Sequence, residues 1–141
     1  MTQGAEPLEV AMEFIKRINA GNVNSLCQLM TEGHIFQDAL GKRVMGRETV
    51  RQGWSAYFKT VPDYKVRAEE FFQTKNTLAI FGVASGTCAG NANGNGATAV
   101  VEKFWQVPAA WRVVVDGGLI AEWRVYADNQ PLRKLMGAHT P

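Results

Sequence analysis

The stretch "WRVVVDGGLIAEWRVY", residues 111 to 126, is two apolar runs joined by Asp-Gly-Gly. Glycine takes the positive backbone angles that a short hairpin connection needs, so residues 116 to 118 form a tight turn between antiparallel strands. In the second run Ala121, Trp123 and Val125 share one face, and Glu122, Arg124 and Tyr126 share the other. The first run extends back to about Thr98 and contains Pro108. Proline cannot donate to a strand ladder, so the pattern predicts an edge or a bulge there, and a bulge would bend the sheet.

Upstream, two further strands are predicted at about Tyr64 to Phe72 and Leu78 to Cys88. "CAGNANGNGA", residues 88 to 97, has the Gly and Asn density of a long hairpin loop. These four strands read as a meander. Before them the period is helical. Leu8, Met12, Ile15 and Ile18, widened by Val10, Ala11 and Phe14, predict a helix over Leu8 to Asn19, with Pro7 in its first turn and Gly21 closing it. A short helix should begin near Asn24 with Leu26, Cys27, Leu29 and Met30 inward. After Gly33 the chain alternates, with His34, Phe36 and Asp38 on one face and Ile35 and Gln37 on the other. Val50, Trp54, Tyr57 and Phe58 predict a helix from Arg47 to Thr60, ended by Pro62. A last short helix is predicted from Pro131 to Met136.

Helices followed by a meander make one α+β domain over residues 1 to 141, in which a strongly curved antiparallel sheet wraps the N-terminal helices. A bent sheet closed at one end by helices leaves a conical cavity, where a ligand would go.

Composition narrows the function. The chain has 141 residues, 46% hydrophobic and 20% charged, with a net charge of +2 and no basic stripe, so a nucleic-acid surface is not expected. Glu6, Glu9 and Glu13 sit where a signal peptide would be basic and then apolar, and no run reaches membrane-spanning length. A soluble, cytoplasmic protein is expected. Cys27 and Cys88 lack zinc-site spacing and the only histidines are His34 and His139, so no metal or other cofactor is expected; both thiols read as reduced, with Cys27 in the core.

Three strings, "FIKRINAGNVNSLCQLM", "DALGKRVMGRETVRQGWSAYFKTVPDYKV" and "VPAAWRVVVDGGLIAEWRVYAD", come in an order that resembles the nuclear transport factor 2-like superfamily, over about residues 8 to 137. Within it the chain is similar to SnoaL-like polyketide cyclases and ketosteroid isomerases. The resemblance implies a cone-shaped fold. Its functional content is coarser, because enzymes, binding modules and assembly domains share this scaffold. In ketosteroid isomerases an Asp base works with a Tyr and a protonated Asp that form the oxyanion hole. By position Asp38 corresponds to the base, whereas the Tyr position is Phe14 and the second acid's position is Ala110. A register shifted to bring in Glu102 breaks the match through "VPAAW". SnoaL-type cyclases pair a His with an Asp, yet "SGTCAG" carries Cys88 where the His would stand. The acids of a limonene epoxide hydrolase would fall near Ser85 and Val125.

Asp38 is therefore the candidate catalytic residue, a base for removing a proton from carbon in a cavity walled by Phe14, Phe36 and Trp54, where loss of water would strengthen it. Its alternative role is a turn acid capping "ALG". Trp54, Tyr57, Trp111 and Trp123 each carry one polar hydrogen on an apolar body; of these Trp54, Tyr57 and Trp123 are candidate binding residues, and Val125 shares the Trp123 face. In a regular strand Arg112 shares a face with Ala110 and Val114 and would stabilise an oxyanion; a bulge at Pro108 would turn it outward and Trp111 inward. His34 reads as a rim or packing residue, and Glu102 and Lys103 as exposed charges. The expected function is binding of a small hydrophobic carbonyl compound, polyketide- or steroid-like, with isomerase or cyclase chemistry through Asp38. The competing expectation is a non-catalytic binding or dimerisation module. Tyr126, Val113, Val115 and Phe104 are expected on the outer face of the sheet, covered by a second copy in a homodimer, as the resemblance also implies.

Overall fold

The computed structural model describes residues 6–91 and 100–128 of the chain. The helix expected at Pro131 to Met136 and most of the Gly/Asn-rich connection lie outside them. Helix α1 spans Pro7–Ala20, with Pro7 in the first turn and Gly21 in the left-handed conformation at φ 68°. It buries Val10, Ala11, Phe14, Ile15 and Ile18. Met12 is 51% exposed, so the apolar stripe is centred on Ala11 and Phe14, one position off the phase that counts Met12 inward. Helix α2, Val23–Cys27, starts where the Asn22 side chain accepts from the Ser25 amide.

Strand β1, Met30–Gln37, begins earlier than the alternation after Gly33 suggests, because the Ile120 amide donates to Leu29 and Met30 pairs with Ile120. Thr31, Glu32 and Gly33 interrupt the apolar pattern, and the pairing is irregular across them. Strand β2, Arg43–Met45, is too short to carry a period and went unpredicted. Helix α3 spans Arg47–Thr60, as its sequence period indicates. Strands β3 (Lys65–Thr74), β4 (Thr77–Asn91), β5 (Val100–Asp116) and β6 (Leu119–Ala127) form the expected meander. The six strands lie in the order β2-β1-β6-β5-β4-β3. Since β1 runs parallel to β6, the sheet is mixed, which corrects the all-antiparallel expectation.

The bends have local causes. In β3 the register shifts between Ala68 and Glu70 opposite Gly82, whose added Cβ would stand 1.9 Å from the Arg67 carbonyl oxygen. Only glycine allows that approach. A second shift between Val114 and Val115 leaves Ala121 as an extra residue in β6, so Ile120 and Trp123 both face inward. Pro108 is not a bulge: β4 and β5 pair without a shift past it. It lies one residue beyond the last β5–β6 pair, Ala109 with Ala127, so among the described residues that side of β5 is an edge at Pro108.

Along β5, Trp105, Val107, Ala109, Trp111, Val113 and Val115 are all buried. Val113 and Val115 therefore belong to the core, not to the outer face as expected. Phe104 and Tyr126 do face outward, at 63% and 47% exposure. Phe14 packs on Trp123 at 4.8 Å between ring centroids, and Trp123 on Trp111 at 6.3 Å, joining α1 to the sheet. His34 is fully buried, with Nδ1 2.8 Å from the Ile120 carbonyl, which makes it a packing residue. Cys27 and Cys88 are free and buried.

Candidate functional site

A cavity of about 340 Å³ lies between α3 and the inner face of the sheet. Its floor and one wall come from β4, β5 and β6 through Ala84, Trp105, Val107, Val125 and Ala127. The opposite wall is Val50, Gly53, Trp54 and Tyr57 of α3, with Tyr64 from the connection to β3. Phe36, Val44 and the turn Asp38–Leu40 complete the lining.

Each wall residue is placed by a simple cause. The helical period puts Val50, Trp54 and Tyr57 on one face of α3, and the pleat puts Trp105 and Val107 on the inner face of β5. Trp105 lies against β4 where residue 86 is glycine; a Cβ there would stand 3.1 Å from the Trp105 ring and 2.4 Å from Val61. Asp63 fixes the approach to Tyr64 by accepting from the Thr87 amide at 2.8 Å and hydroxyl at 2.7 Å.

Asp38 does two things. Its Oδ1 accepts from the amides of Leu40 and Lys42, each at 2.9 Å, which closes the β1–β2 turn together with the Gly41 amide on the Asp38 carbonyl. The same half-buried residue forms part of the cavity wall. Its setting is the turn, with Ala39 and Leu40 beside it, and Phe14 is not a lining residue.

The structure thus brings together Phe36, Asp38, Trp54, Tyr57 and Val125 of the predicted set. Phe14 and Trp123 are core residues beneath the site. Ala110 and Arg112 are on the opposite face of the sheet, a correction to both. No bulge intervenes; the regular alternation of β5 itself points its odd-numbered residues inward, and Arg112 pairs outside with Glu122 at 3.2 Å. Glu122 is also bonded by Arg124. Trp105 and Tyr64 were missed by the sequence reading. Counting back by twos from Trp111 finds Trp105; Tyr64 had no comparable signal.

The wall is aromatic and nearly uncharged. Phe36 meets Trp54 edge-on at 5.9 Å, Trp54 and Tyr64 are 6.2 Å apart, Tyr57 and Tyr64 5.2 Å, and Tyr64 and Trp105 6.1 Å. Burial, with Cys88 nearby, pushes the Tyr57 phenol up to about 12. Burial and then Tyr57 raise Tyr64 as well, so both remain protonated at neutral pH. The Cys88 thiol is raised by burial and then by Asp63, which disfavours a thiolate nucleophile. The indole nitrogens of Trp54 and Trp105 are buried without a hydrogen-bond partner, sealed behind the cavity surface. No group of three or more His, Cys, Asp and Glu side chains that could hold a metal occurs among the described residues.

Among the described residues a curved sheet, three helices and an apolar pocket between them define the nuclear transport factor 2-like class of cone folds. Residues 11–123 match the family model of the SnoaL-like domain, and the chain belongs to that family. Among curated proteins, none matches this sequence. Solved structures share its fold. A protein of ketosteroid isomerase-like fold from Catenulispora acidiphila, in complex with trimethylamine, is 18% identical, with 94% of this chain and 98% of that one covered and a TM-score of 0.77. A Pseudomonas putida protein provisionally named a polyketide cyclase is 18% identical over 94% and 99% of the two chains, with a TM-score of 0.75. A cystatin-fold protein from Novosphingobium aromaticivorans is 20% identical over 86% and 98%, with a TM-score of 0.64.

Proposed function

We propose that this chain binds a small, mainly apolar organic molecule in the cavity between α3 and the sheet. The observation that carries the reading is the pocket itself: about 340 Å³ of space with aromatic walls and, among the described residues, one carboxylate. Such volume is at the small end of ligand sites, roughly 300 to 1,000 Å³. That a Catenulispora protein of this fold is in complex with trimethylamine supports a small-molecule role for this chain. Filling the cavity tests it: Val125→Trp should abolish ligand-induced shifts of the Trp54 and Trp105 indole resonances in a fragment screen while leaving the protein folded. Equal shifts in both proteins would refute the reading.

A second reading, isomerase or cyclase chemistry on a hydrophobic carbonyl compound, is favoured by Asp38 in the cavity wall. An enolate needs a donor, usually the largest catalytic contribution, and with the indole N–H groups sealed that donor would be the phenol of Tyr57 or Tyr64. Deuterium exchange into cyclic ketones and β-keto esters, present with wild type and absent with Asp38→Asn, would establish it. We also propose a homodimer formed through the outer sheet face, where Phe72, Phe81, Phe104 and Tyr126 are exposed.

A further inference from the structure

We propose that the molecule this cavity takes is an organic cation, an alkylammonium group seated against the rings of Trp54, Tyr57, Tyr64 and Trp105 with Asp38 as its counter-charge. The inference rests on the cavity being a ligand site and adds the sign of the ligand's charge.

Three features of the wall point the same way. Its rings are contiguous, since Phe36, Trp54, Tyr64 and Trp105 follow one another at 5.9, 6.2 and 6.1 Å, and Tyr57 stands 5.2 Å from Tyr64. Aromatic faces carry partial negative charge, so a cation within about 6 Å of several rings is attracted by each. Second, among the described lining residues Asp38 is the single acidic side chain, and no Lys, Arg or His is among them. Third, the indole N–H groups, which would serve an anion or a carbonyl oxygen, are sealed away from the space, so the ring-borne donors of the wall reduce to the Tyr57 and Tyr64 phenols. An anion would meet a carboxylate and a wall without accessible indole donors. An alkylated ammonium needs no dense set of acceptors and presents apolar surface to apolar walls. A bare metal ion is a poor alternative, because it requires several oxygen or nitrogen ligands and one carboxylate does not supply them.

The test compares two probes of nearly equal shape on the full chain: choline, and its uncharged tert-butyl isostere in which carbon replaces the quaternary nitrogen. Binding is followed by the indole resonances of Trp54 and Trp105. Choline should bind about tenfold or more tightly than the isostere, the size expected of a partly desolvated cation–π site. Asp38→Asn keeps an Oδ1 acceptor for the turn; it should weaken choline several-fold and leave the isostere unchanged. Equal or tighter binding of the isostere to wild type would overturn the cation assignment and leave the apolar-cavity reading standing. Binding of neither probe would overturn both.

Discussion

Replacing Asp38 by Ala removes the acceptor for two turn amides, and at about 1 kcal/mol net per bond it should cost roughly 1 to 2 kcal/mol in urea unfolding. Asp38→Asn should cost much less, because its side-chain oxygen can accept the same bonds. Equal losses would show that charge, not turn capping, holds the loop. His34 makes a second single-residue prediction. Burial, partly offset by the bond to Ile120 and the charge of Glu122, pushes His34 below its ordinary 6.5. The unfolded chain then takes up a proton that the folded one refuses, so stability is complete above 6.5 and declines as pH falls through that value toward the lowered one. Thermal unfolding should show a decline between neutral and mildly acid pH that is smaller in His34→Gln. An identical decline in both proteins would assign it elsewhere. Some of this was legible from single residues: the alternation after Gly33 put Phe36 and Asp38 on one side, and both line the cavity. The dual role of Asp38 was not, since turn capping and cavity lining depend on where β2 returns.

Gly82 shows how one backbone position shapes an element. A methyl group at that point would collide with the Arg67 carbonyl beside the β3 bulge, so Gly82→Ala should destabilise by about 1 to 3 kcal/mol or more in thermal or urea unfolding. A neutral outcome would mean that the bulge can relax without cost. The elements with a long period were readable, and α3 begins and ends where Arg47 to Thr60 predicts. Three-residue β2 has no period to read, and β1 hides its start behind Thr31, Glu32 and Gly33. In β5 the alternation was visible but its phase was not. Taking the phase from family position put Ala110 and Arg112 inside, whereas Trp105 to Val115 show that the odd-numbered face is buried. Phase is set by what the sheet packs against, here α1 and its Phe14, and no local string carries that information.

The sheet of the whole molecule has two different faces. The inner one encloses the core and the cavity. The outer one leaves Phe72 58% and Phe81 44% exposed, with their rings edge-on at 5.8 Å. Light scattering should therefore give about twice the 15.5 kDa chain mass, and Phe81→Glu should return it to the monomer. A monomeric wild type at the same concentration would refute the pairing. The proposed ligand site and the proposed pairing surface lie on opposite faces of one sheet, so each can be tested without disturbing the other. The measurement to make is a choline titration of nitrogen-15-labelled protein with every indole and backbone resonance followed. Saturable shifts confined to Phe36, Asp38, Trp54, Tyr57, Tyr64 and Trp105 are predicted, and shifts scattered over the outer face, or none in the cavity wall, would contradict the assignment of this pocket as the binding site.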